Sequence, residues 1–482
     1  MYVELDGQGP RYAQLIRALK AAILDARLAA GSRLPASRTL ARELDVSRNT
    51  VLAAYEQLQA EGFLLGRVGS GSYVADVGSR VSPNRRNPGQ APVAPLSPFA
   101  RRALASTDGV RIPGREHAGL RYNLQYGVPL TNPALASAWR REINRAAERA
   151  EFDYPDAQGL PELRARICDY LTRRRGVDAQ PEDVLVISGT QQAFALAARV
   201  LLDANDTVVL EDPHYRGARQ IFLANGLRVR GVRVDADGLV PAALPPRARL
   251  AVVTPSHQFP TGALLPLARR VELLEWAAAS RAWLIEDDYD GEFRFGGRPL
   301  AALKSLDRDG RVIYIGSFSK TLFPALRLGY MVLPASLRAA YRAAKWLEDR
   351  GSNTLEQAAL ANFMANGGFE RHLRRAAQTL RARRSAMLAG LARHAGQAVE
   401  VVDSNAGMHL TAWLRTGSHA DCERLAAHAR ERGLGLYTIA PYALKVSLRP
   451  GLLLGYAGLP SADIEAALRL FGRCLRETGL LA

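Results

Sequence analysis

The sequence predicts a multidomain chain: an N-terminal helix-turn-helix unit with a hairpin wing (residues 1–76), a linker (77–118) and an α/β unit (119–482) whose last part, from about residue 370, is a smaller α+β subdomain. Three observations predict it. Two short helical patterns joined by a tight turn precede a glycine-centred hairpin. A stretch rich in Pro, Gly, Ser and Arg follows with no sustained apolar period. Beyond it, short β-rich runs alternate with helical segments. At 482 residues and 48% apolar composition, the chain exceeds one ordinary domain and can bury a large core.

In the first unit, "YAQLIRALKAAILDARL" places Leu15, Ile16, Leu19 and Ile23 on one helical face. In "PASRTLARELDVSRNTVLAAYEQLQAEGFL" a helix over about 37–44 ends at the tight "DV". Ser47 then caps a second helix whose Val51, Leu52, Tyr55 and Leu58 form an inward stripe. Such a pair matches a helix-turn-helix, whose second helix enters the major groove by its N-terminal residues, here Arg48, Asn49 and Thr50. "LLGRVGSGSYVA" supplies two apolar arms around Gly69-Ser70-Gly71, a hairpin wing. The alternative is a three-helix packing module with Arg48 and Asn49 merely solvated. From helix to wing, residues 11–76 resemble the winged-helix domain of the GntR regulators. The resemblance implies DNA contacts by Arg38, Arg48 and Thr50 and by the wing tip at Gly69 and Gly71.

The formal charge of +17 fits a nucleic-acid partner, although an arginine-rich composition produces the same number. Its location is more informative: residues 1–76 carry nine Arg/Lys against eight Asp/Glu, residues 77–118 seven against two. The excess sits in the connector and beyond, so charge alone does not locate a DNA-reading face. A flexible chain of about 40 residues reaches roughly 35 Å, comparable to the ~34 Å between half-sites on successive DNA turns. Three cysteines, Cys168, Cys422 and Cys474, have no metal-ligand spacing, which argues against a disulfide framework and for a reducing cytoplasm. No apolar run is long enough to span a bilayer.

The α/β unit is justified strand by strand: "VLVI" (184–187), "TVVLE" (207–211), "LAVVTP" (250–255), "WLIEDDY" (283–289), "VIYIGS" (312–317) and "GYMVLP" (329–334). Apolar strands separated by helices predict a mostly parallel sheet covered on both faces, with ligands at the strand C-termini. At that edge "VISGTQQ" passes from strand to helix, presenting free N–H groups suited to a phosphate. "IEDDYD" puts Asp287 and Tyr289 on one face, where an aspartate suits a pyridine nitrogen and a tyrosine a neighbouring phenolic oxygen. The alternatives are a metal site from Glu286, Asp287, Asp288 and Asp290, or a solvated acidic loop; no His or Cys accompanies the cluster at ligand spacing. "SFSKTLFPALRLGY" carries Lys320, one of five lysines in the chain, after a buried-type strand. A desolvated lysine amine forms a Schiff base with an aldehyde cofactor, and Arg327, seven residues on, adds positive charge and a bidentate grip on phosphate.

These elements, in this order, resemble the fold-type I aminotransferases, the pyridoxal 5′-phosphate enzymes, over about residues 120–480. The resemblance implies Lys320 as the internal aldimine lysine, Asp287 as partner of the pyridine nitrogen and Tyr289 as donor to O3′. It implies Gly189, Thr190, Ser317 or Ser319, and Arg327 at the phosphate, and Tyr215 stacked on the ring. Tyr154 in "YPDAQGL" is implied to reach the phosphate of the other subunit, so a homodimer is expected. A GntR-type reader joined by a long linker to such a domain is the architecture of the MocR regulators, which "TPSHQFPTG" and "EDDYDGEFR" also resemble.

Two departures bear on activity. Phe259 stands where many aminotransferases have Asn before "PTG", leaving His257 or Gln258 as substitutes for binding O3′. "LLLGY" puts Leu453 in place of the arginine that clamps a substrate carboxylate, with Arg449 and Arg219 nearby in sequence. The expectation is therefore a cytoplasmic DNA-binding regulator that senses pyridoxal phosphate or an amine effector at Lys320, controlling vitamin B6 or amino acid metabolism. An active aminotransferase with a fused DNA-binding domain, or a scaffold that has lost its cofactor, are the alternatives.

Overall fold

The computed structural model describes residues 3–67, 70–76, 95–108, 119–130, 133–149, 153–296, 300–402, 404–445 and 448–481. The chain divides into two compact units, Met1–Pro95 and Leu96–Ala482.

The first unit is built from α1 (Arg11–Leu24), α2 (Ser37–Glu43), α3 (Arg48–Ala60) and a hairpin of β1 (Leu64–Arg67) and β2 (Gly71–Val74). Leu15, Ile16, Leu19 and Ile23 are buried as the pattern requires, against Leu40, Val51, Tyr55, Leu58 and Val74. Leu52 is only half-buried; Ala54 takes the inward position instead, because a helix turns 100° per residue and Leu52 falls off the stripe of Val51, Tyr55 and Leu58. The turn between α2 and α3 is made by Asp45, in the left-handed region at φ 51°. Ser47 caps α3 by accepting from the Thr50 N–H at 3.0 Å.

The stretch expected as linker contains a helix, α4 (Pro98–Thr107), capped by Ser97. None of its residues is fully buried. It is held by polar contacts: Arg102 Nε donates to Ala224 O at 3.0 Å and Gln220 Nε2 donates to Ser106 O at 3.1 Å. Contacts made more than a hundred residues away leave no apolar period to read.

The larger unit starts with β3 (Tyr122–Asn123), α5 (Pro133–Glu148) and α6 (Pro161–Arg175). The main sheet follows: β4 (Val184–Ile187), α7 (Thr190–Leu201), β5 (Thr207–Asp212), α8 (Arg216–Ala224), β6 (Arg228–Asp235), β7 (Gly238–Leu239), β8 (Leu250–Val253), α9 (Leu267–Ser280), β9 (Trp283–Asp288), β10 (Val312–Ser317) and β11 (Gly329–Val332). Its order is β4-β11-β10-β9-β8-β5-β6-β7. The strands between β10 and β6 pair in parallel, whereas β11 runs antiparallel to both neighbours and β7 is antiparallel to β6. Separate apolar clusters cover the two faces, one with Phe194, Phe222 and Ile285, another with Leu273, Leu284 and Val312.

Helices α10 (Arg338–Asp349), α11 (Thr354–Ala365) and α12 (Gly368–Ala395) lead to a second sheet. It contains β12 (Val399–Val402), β13 (His409–Leu414), β15 (Tyr437–Thr438) and β16 (Gly451–Gly455) in the order β12-β13-β16-β15, with α13 (His419–Glu431) and α14 (Ser461–Glu477). The short β14 (Leu434–Gly435) pairs with β3, so residues from the start of the unit complete a subdomain that local pattern assigns to the C-terminal part alone. No helix among the described residues is long and apolar enough to cross a membrane.

Candidate functional site

The C-terminal edge of the parallel strands opens into a cavity of about 360 Å³. Its wall includes Thr190, Tyr215, Asp287, Tyr289, Ser317, Ser319, Lys320 and Arg327, so eight residues expected from sequence converge from the ends of four strands, β4, β5, β9 and β10.

Lys320 follows β10 and is half-buried; its Nζ donates to Gly127 O at 2.6 Å. Burial lowers its pKa, opposed by the carboxylates of Asp290 and Asp287. Asp287, at the end of β9, is buried, and its Oδ1 has no hydrogen-bond partner. Burial, then repulsion from Asp288, Glu211 and Asp290, pushes its carboxyl up to about 7, with Lys320 pulling the other way. A buried, unsatisfied carboxylate oxygen on a cavity wall is a place made for a positively charged donor. A protonated pyridine nitrogen fits that requirement.

At the opposite end, Gly189 caps α7 at φ 93°, and Thr190 and Gln191 begin the helix. The N-terminal N–H groups of a helix favour an anion there. Arg327, itself at φ 51°, donates from Nη2 to Ser188 O at 2.6 Å. A Cβ on Gly189 would stand 3.0–3.2 Å from its guanidinium, which only glycine avoids. Ser319 N donates to Ser317 Oγ at 3.1 Å, folding the turn before Lys320 toward the same end. Helix terminus, guanidinium and hydroxyls form a cradle of the right chemistry for a phosphate. Tyr215, 40% exposed, receives the Gln191 amide on its hydroxyl at 3.0 Å and presents its ring to the cavity.

The acidic run does not converge as a metal site. Glu286 accepts from the Leu303 and Lys304 N–H groups, Asp288 pairs with Arg175, and Asp290 meets His257 at 2.9 Å; of the four, only Asp287 and Asp290 reach the cavity wall. Strand alternation separates Asp287 from Asp288, as the pattern requires.

Neither proposed substitute for the missing Asn lines the cavity. Gln258 is spent on Glu211, Pro213 O and Phe259 O, and His257 lies behind Tyr289 with its Nδ1 2.9 Å from the tyrosine hydroxyl. Leu453 is fully buried in a cluster with Phe259, Ile439 and Tyr442. Arg449 pairs with Glu400 at 3.0 Å, and neither it nor Arg219 lines the cavity. Tyr154 does not line its own chain's cavity; it is 72% exposed with Arg350 over its ring.

Sequence reasoning missed Gln125, Tyr126, Gly127, Met408 and His409 on the wall. Gly127 alone carries a local signal, a glycine inside "LQYGVP", and it stands at φ 69° with Lys320 Nζ 3.0 Å from where a Cβ would be. The others arrive from distant segments.

In the first unit Arg38, Arg48 and Asn49 are exposed along the start of α2 and α3, while Thr50 is half-buried with its hydroxyl 2.8 Å from Ser47 Oγ. Gly71 opens β2 at φ 107°, and Arg67, paired with Gly71 beside the turn of the wing, lies over the Tyr73 ring. Gly69 lies outside the described residues.

The family model of bacterial regulatory proteins of the gntR family matches residues 11–74, and that of aminotransferase class I and II matches residues 122–471. The chain is 36% identical over 463 residues to the probable rhizopine catabolism regulatory protein MocR of Rhizobium meliloti, covering 95% of this chain and 92% of that protein. It is 34% identical to the pyridoxine biosynthesis transcriptional regulator PdxR of Corynebacterium glutamicum over 77% of each. Among solved structures, the α-aminoadipate aminotransferase LysN of Thermus thermophilus, complexed with N-(5′-phosphopyridoxyl)-L-leucine, superposes with a TM-score of 0.70 at 29% identity, covering 80% of this chain and 97% of that one. With both family models matched on one chain and the MocR protein covered over 92% of its length at 36% identity, the chain belongs to the MocR-type branch of the GntR family, DNA-binding transcription regulators whose larger unit has the aminotransferase fold.

Proposed function

We propose that this regulator holds pyridoxal phosphate covalently at Lys320 and that occupancy of the cavity changes how its winged-helix heads engage DNA. One observation carries the reading: a desolvated lysine amine and a buried, unpartnered aspartate oxygen face the same cavity, with an anion cradle at its far end. When bound, the cofactor supplies an aldehyde for the amine and a ring nitrogen for the aspartate. The chain's own residues do the rest. Asp287 would hold a proton on the ring nitrogen, Tyr289 would face the phenolic oxygen, Tyr215 would cover a ring face, and Thr190, Ser317, Ser319 and Arg327, with the helix N-cap Gly189, would hold the phosphate.

The effector is the cofactor itself or an amine that displaces Lys320 from it. It shifts a population of domain arrangements by binding one of them better, which needs no turnover. The PdxR relative, named for pyridoxine biosynthesis, favours the cofactor and control of vitamin B6 supply. So does Leu453, which leaves no guanidinium where an amino acid carboxylate is clamped. The reading includes a homodimer, supported by Tyr154, Trp346 and Leu347, an aromatic and aliphatic set exposed at 72%, 45% and 85% that suits a partner surface. Such a regulator works where its DNA is, in the cytoplasm.

Borohydride reduction of protein loaded with pyridoxal phosphate, followed by peptide mapping, tests the first half: the label belongs on Lys320. Binding to duplex DNA from the protein's own upstream region, with and without the cofactor, tests the second. A label elsewhere, or identical DNA affinity and footprint in both states, overturns the reading. Many turnovers with an amino acid panel and 2-oxoglutarate would instead support the enzyme.

A further inference from the structure

His257 is buried behind the cavity wall and meets two residues at one ring atom. Its Nδ1 lies 2.9 Å from Asp290 Oδ2 and 2.9 Å from the Tyr289 hydroxyl. Its Nε2 lies 3.2 Å from Ser404 Oγ. The ring has no freedom to turn away: a Cβ on Gly407, at φ 78°, would collide with His257 Cε1 and lie 2.8 Å from Asp290 Oδ2, so backbone packs directly on the pair. A carboxylate only accepts, so the proton between His257 and Asp290 resides on Nδ1. Nδ1–H then points at oxygens on both sides and cannot accept from tyrosine. The Tyr289 hydroxyl receives from it and is left with its own hydrogen to give elsewhere, and the open side is the cavity.

We propose that His257, fixed by Asp290, is the positioning residue that turns the Tyr289 hydroxyl hydrogen into the cofactor cavity, toward the phenolic oxygen beside the aldehyde. The proposal rests on the reading that the cofactor is bound at Lys320. It explains how the site works without the Asn whose place Phe259 holds. Instead of a second donor in the cavity, the chain has one tyrosine donor whose direction is dictated from behind. The charged groups acting on Tyr289 are Asp290, Asp287, Glu211 and Asp288, with Lys320 and His409 on the same cavity.

The test compares His257→Asn, whose amide nitrogen occupies the place of Nδ1, with His257→Gln, whose amide reaches the place of Nε2 and leaves Nδ1 empty. A donor on the phenolic oxygen stabilises its negative charge and lowers the proton affinity of the nitrogen joining Lys320 to the cofactor. The readout is the pH midpoint of the visible absorption band of protein loaded with pyridoxal phosphate. H257N keeps the wild-type midpoint, whereas H257Q raises it by about one pH unit, the size of losing one hydrogen bond to a charged oxygen. The H257Q effect vanishes in a Tyr289→Phe background, because the histidine acts only through that hydroxyl. Equal midpoints in H257N and H257Q, or an H257Q shift that persists in Y289F, overturn the proposal. A Y289F midpoint equal to wild type also overturns the proposal, because no hydroxyl donor is then being positioned. A wild-type protein with no visible band overturns the cofactor reading itself, a distinguishable outcome.

Discussion

Arg175 Nε and Asp288 Oδ2 lie 2.6 Å apart with both side chains almost wholly buried, behind the strand that presents Asp287 to the cavity. Arg175 also donates to Leu300 O and Ser256 Oγ, and the Tyr314 hydroxyl donates to Asp288 at 2.5 Å. Arg175 thus joins the end of α6 to the strand and loops that line the cavity.

Removing one side of such a pair leaves the other charge buried without compensation, which costs about 3–5 kcal/mol. Arg175→Met should therefore lower the stability of the larger unit by that amount in urea unfolding. A loss below about 1 kcal/mol, the range of exposed pairs, would show that water relaxes the site.

Asp287 gives a pH signature. Its native pKa, about 7, lies above the ordinary carboxyl value of 3.8, so between those values the native state binds more protons than the unfolded chain. Stability of the cofactor-free protein should fall as pH rises through this window. Asp287→Asn should flatten part of that slope and stabilise the cofactor-free protein at pH 8 by at most about 4 kcal/mol. Glu211, Glu286 and Glu292, also raised to about 7 chiefly by burial, retain much of the rest. The same variant should bind pyridoxal phosphate roughly ten- to a hundredfold more weakly, from losing a charge-assisted hydrogen bond. Thermal melts across pH and equilibrium dialysis measure the two opposite effects.

Gly189→Ala should damage binding more than folding. The new methyl group meets the Arg327 guanidinium, and φ 93° strains any side chain there. The strain costs about 1–3 kcal/mol, while displacing Arg327 from Ser188 should weaken cofactor binding at least roughly tenfold. Cofactor titration followed by visible absorbance checks this.

In the reader unit, Arg48→Ala should weaken DNA binding and, if it meets a phosphate, reduce the salt slope by about 1. Ser47→Ala should instead destabilise the head by about 1 kcal/mol through loss of its bond to Thr50 N. Fluorescence anisotropy over a salt series separates contact from fold.

Much of the site was readable because it is written in short stretches. Ser47 two residues from Asn49, Asp287 two from Tyr289, and Lys320 seven from Arg327 keep fixed geometry on a helix, a strand and a tight turn, whatever surrounds them. The strand β6 was not readable as such. In "RVRGVRVD" Arg228 and Arg230 are exposed, yet Val232, next on the same face, is buried and Arg233 on the other face is exposed, so no single alternation marks this strand near the sheet edge.

The sequence alone determined which residue types are present and which local faces they share: the apolar stripes of α1 and α3, the strands that lead into Ser188, Tyr289 and Phe318, and a primary amine at position 320. Only the tertiary structure decided what those faces meet. Gly127 O receives the Lys320 amine across 193 positions of chain, Ser404 comes to His257 from a span of 147, and Leu453 is sealed into a core instead of lining the cavity. Local backbone geometry is set by neighbours within a few residues, whereas hydrogen-bond partners and burial are set by how the whole chain closes on itself.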